Sequence, residues 1–166
     1  MRIRIGRIAI LLALIGLASG CSFFGGDEPE YTHWEPALSP DGSALAYESP
    51  GGDSLELFVR DLATGEERRL TQDEHPNWSP SWAPDGSRIA FASSRDDNVD
   101  IYILTLDDLS IERLTTHGED DINPSWGADG RVYFNSNRSG AWEIYAITPG
   151  EGSLVKITQV AAPPSE

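Results

Sequence analysis

From about residue 30 onward, apolar and polar positions alternate in short runs bounded by turn residues. No stretch of helix length carries a 3.6-residue apolar period. The runs recur in register. "LAYES" (Leu45–Ser49), "IAFAS" (Ile89–Ser93) and "VYFNS" (Val132–Ser136) are followed in turn by "LELF", "DIYI" and "EIYA", then by "RRLT", "ERLT" and "VKIT". Just ahead of the first of these runs in each copy lies a turn: "SPDG" at Ser39–Gly42, "APDG" at Ala83–Gly86 and "GADG" at Gly127–Gly130, spaced 44 residues apart. Upstream of it, Pro36, Pro80 and Pro124 align, as do Leu38, Trp82 and Trp126. Four short strands per unit and a period in the low forties predict β-propeller blades. The chain is therefore read as all-β, with three four-stranded antiparallel blades over about 30–71, 72–115 and 116–159.

Within a unit, strand A surrounds "PSW", strand B is "RIAFAS", strand C is "DIYIL" and strand D is "IERLT". The A–B connection places Pro40 and Pro84 where a fixed φ suits a type I turn, with Asp next and Gly where a positive φ is expected. In the third copy Ala128 replaces Pro, while Asp129 and Gly130 remain. A catalytic carboxylate is rarely needed three times, so Asp41, Asp85 and Asp129, with Gly42, Gly86 and Gly130, are read as turn formers. Across the B–C loop, equal spacing suggests ion pairs between Arg95 and Asp100 and between Arg138 and Glu143. Gly51 occupies the arginine position of the first copy and leaves Glu56 without that partner.

The first twenty residues differ in chemistry from the rest. Arg2, Arg4 and Arg7 precede an uncharged run from Ile8 to Ala18, which is short for a membrane span and ends in small residues, as an export signal does. Ala18-Ser19-Gly20-Cys21 resembles the lipobox of bacterial lipoproteins. That resemblance implies a signal peptide over 1–20, acylation of Cys21, a tether over 21–29 and, with Ser22 rather than Asp after the cysteine, sorting to the outer membrane. Two or three acyl chains anchor stably where one is marginal. Cys21 is the single cysteine, so no intramolecular disulfide or cysteine metal cluster can form. Residues 160–166 read as a polar tail.

The chain has 12 basic and 27 acidic residues and a net charge of −15. Loss of the three leader arginines would leave nine basic residues and a charge of −18. Such a chain repels phosphate backbones and anionic headgroups, so nucleic acid is excluded as a partner and the membrane is reached only through the lipid. A basic protein partner fits.

The repeats resemble the WD40-like, or PD40, repeats of TolB-type propellers, with P-x-W-S-P-D-G-x-x-I-A-F-x-S-x-R as the shared pattern, over roughly Glu30–Gln159. The resemblance implies a propeller fold and a periplasmic habitat. It also implies one of two roles: protein binding, as in the Tol envelope system, or a non-catalytic propeller attached to a prolyl-oligopeptidase-like peptidase. Fold alone does not choose between them.

Other candidate chemistry is weak. "GDSL" at Gly52–Leu55 spells a serine-hydrolase signature but lacks the preceding apolar strand and any Asp-x-x-His. Asp96, Asn98 and Asp100 alternate like calcium ligands, yet Ile101 stands where the loop glycine should be, and a solvated hairpin loop explains them better. His33, His75 and His117 fall at three different repeat positions and supply no zinc set. No cofactor is expected beyond the lipid on Cys21.

The segments entering strand A are acidic in each copy: Asp27, Glu28 and Glu30; Asp73 and Glu74; Glu119, Asp120 and Asp121. They predict a negative rim at one mouth of the channel, with Trp34 and Trp78 beside it as packing residues or partner anchors. Three blades are fewer than the four to eight of closed propellers. Pairing of two chains into a six-blade ring, completion by a partner, and a fragment of a longer protein are all open. The expectation is a non-enzymatic, lipid-anchored interaction module facing the periplasm; a peptidase accessory or a ligand- or sugar-binding propeller is the alternative.

Overall fold

The structure, a computed structural model, describes residues 34–158, which lie within one compact unit, Tyr31–Glu166. These residues form twelve strands in three separate four-stranded antiparallel sheets, each a simple meander. The first blade is β1 (Trp34–Leu38), β2 (Ala44–Pro50), β3 (Leu55–Asp61) and β4 (Glu67–Arg69). The second is β5 (Asn77–Trp82), β6 (Arg88–Ser93), β7 (Asp100–Thr105) and β8 (Ile111–Arg113). The third is β9 (Asp121–Trp126), β10 (Val132–Ser136), β11 (Glu143–Ile147) and β12 (Leu154–Lys156). All three sheets take the order A-B-C-D predicted from the alternation.

The core lies between sheets. One cluster joins Ala46, Leu57 and Leu70 of the first blade to Ile89, Phe91, Tyr102 and Leu104 of the second. Another joins Ala90, Ala92, Ile101 and Ile103 of the second blade to Trp126, Val132, Phe134, Tyr145 and Ile147 of the third. Strands B and C of the middle blade are thus buried on both faces, which is why "RIAFAS" and "DIYIL" are nearly continuous apolar runs. Aromatic pairs on strands B and C, Tyr47–Phe58, Phe91–Tyr102 and Phe134–Tyr145, repeat at ring separations of 6.0, 5.8 and 6.2 Å.

The A–B turns close with N–H groups of Gly42, Gly86 and Gly130 donating to the carbonyls of Ser39, Ala83 and Gly127. Those glycines have φ of 74, 71 and 83°, in the left-handed region where a Cβ is penalised. Each turn aspartate accepts the N–H two residues on, from Ser43, Ser87 and Arg131, as an Asx turn does.

The expected loop ion pairs are replaced by a different scheme. Arg95 lies over the Tyr102 ring at 4.6 Å and binds Asp73 and Asn77, while Arg138 lies over Tyr145 at 4.9 Å and binds Asp121. The carboxylate opening strand C is held instead by strand D: Glu56 by Arg69, Asp100 by Arg113 and Glu143 by Lys156. Strand D is the hydrogen-bonded neighbour of strand C, and Arg113 stands opposite Tyr102, so its guanidinium reaches Asp100 diagonally. Glu56, expected to lack a partner, is therefore paired. The threonine ending each copy completes the latch: Thr71, Thr115 and Thr158 accept the N–H of Leu57, Ile101 and Ile144.

Candidate partner-binding faces of the blade array

The D–A and B–C loops lie together at one end of the blades. The Ser94 N–H donates to the Pro76 carbonyl, and Asn98 Nδ2 donates to the carbonyls of His117 and Glu119 at 2.9 Å each. The Val99 N–H donates to Asp120 Oδ1, which fixes the acidic entry to the third blade against the second. This is the end where the sequence places a negative rim, and the structure divides the rim residues by role. Asp121 is fully buried and holds Arg138 through both oxygens, at 2.9 and 2.8 Å. Asp73 binds Arg95 at 3.1 Å and accepts the His75 N–H. Asp120 is half-buried on Val99, leaving Glu74 and Glu119 as the rim carboxylates with exposed side chains, joined on the B–C loop by Asp97.

Trp78 packs against the core between the second and third blades and is half-buried, an inter-blade role. Cys21, Asp27, Glu28, Glu30 and His33, with the side chain of Trp34, lie outside the described residues. Asp96, Asn98 and Asp100 are drawn apart by other partners: Asp96 by Tyr102 and Arg113, Asn98 by main-chain carbonyls, and Asp100 by Arg113 and Thr115. Among the described residues, no group of three or more His, Cys, Asp or Glu is arranged to hold a metal ion. Ser54 of "GDSL" donates its hydroxyl to the adjacent Leu55 carbonyl at 3.4 Å.

The opposite end carries the A–B turns. Between those of the first two blades runs a groove of about 540 Å³, lined by Ser39, Asp41, Val59, Arg68, Trp82 and Asp85 among others. Hydrogen bonds hold the turn carboxyls below the usual carboxylate range. For Asp41 the Ser39 hydroxyl contributes most and the value falls to about 2; for Asp85 the Ser87 N–H dominates and for Asp129 the Arg131 side chain. They stay ionised and shape the bend.

Two features were missed by sequence reasoning. Glu35, Ser79 and Asn123 occupy the same place in strand A of each blade, immediately before the aligned prolines, with φ of 45, 53 and 53°. Each lies where the A–B register slips, so a bulge interrupts strand A of each blade. The aligned prolines signalled a special backbone there, but alternation alone gives no φ. The second feature is Glu48, a buried carboxylate of β2 between the first and second blades, which accepts the Ser79 N–H at 2.8 Å. The Ser79 hydroxyl in turn donates to Glu35. Burial pushes Glu48 up to about 7, with the Glu35 charge adding to the rise and the Ser79 N–H opposing it.

The sequence matches the TolB beta propeller domain over residues 28–162. No curated protein matches the chain. Among solved structures, TolB from Acinetobacter baumannii is 30% identical with a TM-score of 0.71, over 76% of this chain and 32% of that one. A putative TolB from Agrobacterium tumefaciens is 25% identical with a TM-score of 0.70, over 78% of this chain and 50% of that one. A puromycin-hydrolyzing peptidase from Mycobacterium tuberculosis is 19% identical with a TM-score of 0.63, over 76% of this chain and 22% of that one, and at that identity shares the fold alone. The chain thus spans about a third of the first TolB and half of the second. The threefold turn and a family match that covers all the described residues establish that the chain belongs to the TolB-type PD40 β-propeller family.

Proposed function

We propose that this chain is a non-enzymatic, lipid-anchored module that faces the periplasm from the outer membrane and binds a basic protein through the loop end of its blades. The observation that carries this reading is the fixed presentation of exposed carboxylates. Glu74, Asp97 and Glu119 stand on loops tied down by the Arg95–Asp73 pair and by the Asn98 bonds to His117 and Glu119. A preorganised, like-charged surface loses little conformational freedom on binding and speeds encounter with a cationic partner. Cys21 supplies the anchor, with its acyl chains holding the blades at the membrane surface.

Two measurements test the reading. Photo-crosslinking from position 97, the third exposed loop carboxylate, in intact cell envelopes should trap one basic protein, and Glu74→Lys with Glu119→Lys should cut the yield at least tenfold. Equal yield from the reversed surface refutes the acidic-face reading. Cys21→Ser should move the protein from the membrane to the soluble fraction, and unchanged membrane attachment refutes the anchor. Hydrolysis of peptide or ester substrates that is lost in Ser54→Ala would overturn the non-enzymatic assignment.

A further inference from the structure

The flank of the third blade is apolar and uncovered. Ile144 is 38% exposed, whereas its counterparts Leu57 and Ile101 are both at 0% because the next blade covers them. Ile157 is 47% exposed where Leu70 is at 4%, and Trp142 is 48% exposed beside them. At the other end of the array, the first blade shows Leu38 at 58% and Leu62 at 50% exposure, in the positions where the second blade uses Trp82 and Leu106 to pack on its predecessor. The three described blades thus end in one face that lacks a successor and one that lacks a predecessor.

The side-chain sizes on these two faces are matched in a way the internal interfaces are not. At each internal interface a large strand-A residue meets a small strand-B residue. Trp82 donates its indole N–H to the carbonyl of Ala37, whose cross-strand partner is Ala46, and packs on the cluster containing Ala46. The Trp126 N–H donates to Ser81, whose cross-strand partner is Ala90, and Trp126 shares a cluster with Ala90. On the two uncovered faces the sizes are exchanged. The strand-B position of the third blade is Tyr133, and the strand-A position of the first blade is Leu38. A Trp in place of Leu38 would crowd Tyr133, and an Ala in place of Tyr133 would leave a gap over Leu38.

We propose that the flank of the third blade docks on the flank of the first blade of a second copy of this chain, so that two chains related by a two-fold axis close a ring of six blades. Both junctions are then identical, as a closed cyclic dimer requires, and six blades fall within the range in which propellers close. Arg60 and Glu67, paired on the first blade where the second has Leu104 and Ile111, form the polar edge of the junction. The proposal rests on the exposed flanks and is independent of the acidic-face reading.

The test is the mass in solution of the full chain in a mild non-ionic detergent, measured by light scattering across a concentration series. Leu38→Trp and Tyr133→Ala each install the residue found at that position in the other two blades; Tyr133→Ala also gives up the hydroxyl bond to Asp129 and the ring under Arg131, so its folding is checked by circular dichroism before the mass is read. The native chain should run as two chains, each single variant should weaken association at least tenfold, and the double variant should recover to within about threefold of native. A native chain that stays monomeric at high micromolar concentration overturns the proposal, as does a trimer or open polymer. A double variant no better than Leu38→Trp overturns it equally.

Discussion

Glu48 is the residue whose placement most affects behaviour in solution. It is buried beside Ser79 with the Glu35 carboxylate nearby and, among the described residues, no cation among its hydrogen-bond or ion-pair partners, so the folded state prefers it protonated. Its value rises from the ordinary 4.5 to about 7, so the folded chain holds a proton that the unfolded chain releases between those two pH values. Stability therefore falls as pH rises through that window, and the loss is complete above about 7. Glu48→Gln keeps an acceptor for the Ser79 N–H and removes the charge. It should be more stable than the native chain at pH 8 by roughly 3 kcal/mol and equal to it below about pH 4, as read from urea unfolding. Identical pH slopes for the two would show that Glu48 does not titrate there. Nothing in the sequence singled out Glu48, because alternation along strand B does not separate a solvated face from an inter-blade one. The Asp-Gly turns were legible because their geometry follows from Pro, Asp and Gly within four residues.

For the strand, the informative unit is the latch between C and D. The motif "ERLT" reads as an ordinary half-buried strand, but its Arg113 and Thr115 both serve Asp100, which is buried and whose acidity is weakened mainly by that burial. Removing one partner of a buried carboxylate leaves the charge unpaired, so Arg113→Met should cost on the order of 3 kcal/mol. A double-mutant cycle separates this scheme from the loop pairing that the spacing suggested. Asp100→Asn with Arg113→Met should couple by about 1–2 kcal/mol in thermal or urea unfolding, whereas Asp100→Asn with Arg95→Met should be additive within about 0.5 kcal/mol. The reverse ranking would restore the pairing read from spacing. Equal spacing in two copies was a sound reason to link Arg95 with Asp100 and Arg138 with Glu143. It failed because sequence distance along a loop says nothing about the strand hydrogen-bonded alongside. The strand boundaries, by contrast, follow from β-branched and aromatic runs cut by turn residues.

Across the whole molecule, charge and modularity dominate. A net charge of −15 accompanies ion pairs that are mostly internal to the blades, so long-range repulsion among the remaining carboxylates opposes compactness. Raising sodium chloride from about 20 to about 300 mM shortens the screening length severalfold and should raise the unfolding temperature by a few degrees. A fall instead would mean that screening of the latch pairs outweighs relief of repulsion. The blade architecture was readable from the repeat itself, whereas the division of the acidic rim into buried, bonded and exposed members needed three-dimensional neighbours, as Asp121 and Glu119 illustrate. The sheets have a further consequence. Among the described residues every strand pairs within its own blade, and no main-chain ladder crosses from one sheet to the next. A stretch of 44 residues, the interval from Asp41 to Asp85, is therefore a self-contained unit of growth. In-frame duplication or excision of one such stretch adds or removes a blade without severing a ladder, so lineages carrying this repeat can change blade number by recombination and leave each surviving sheet intact.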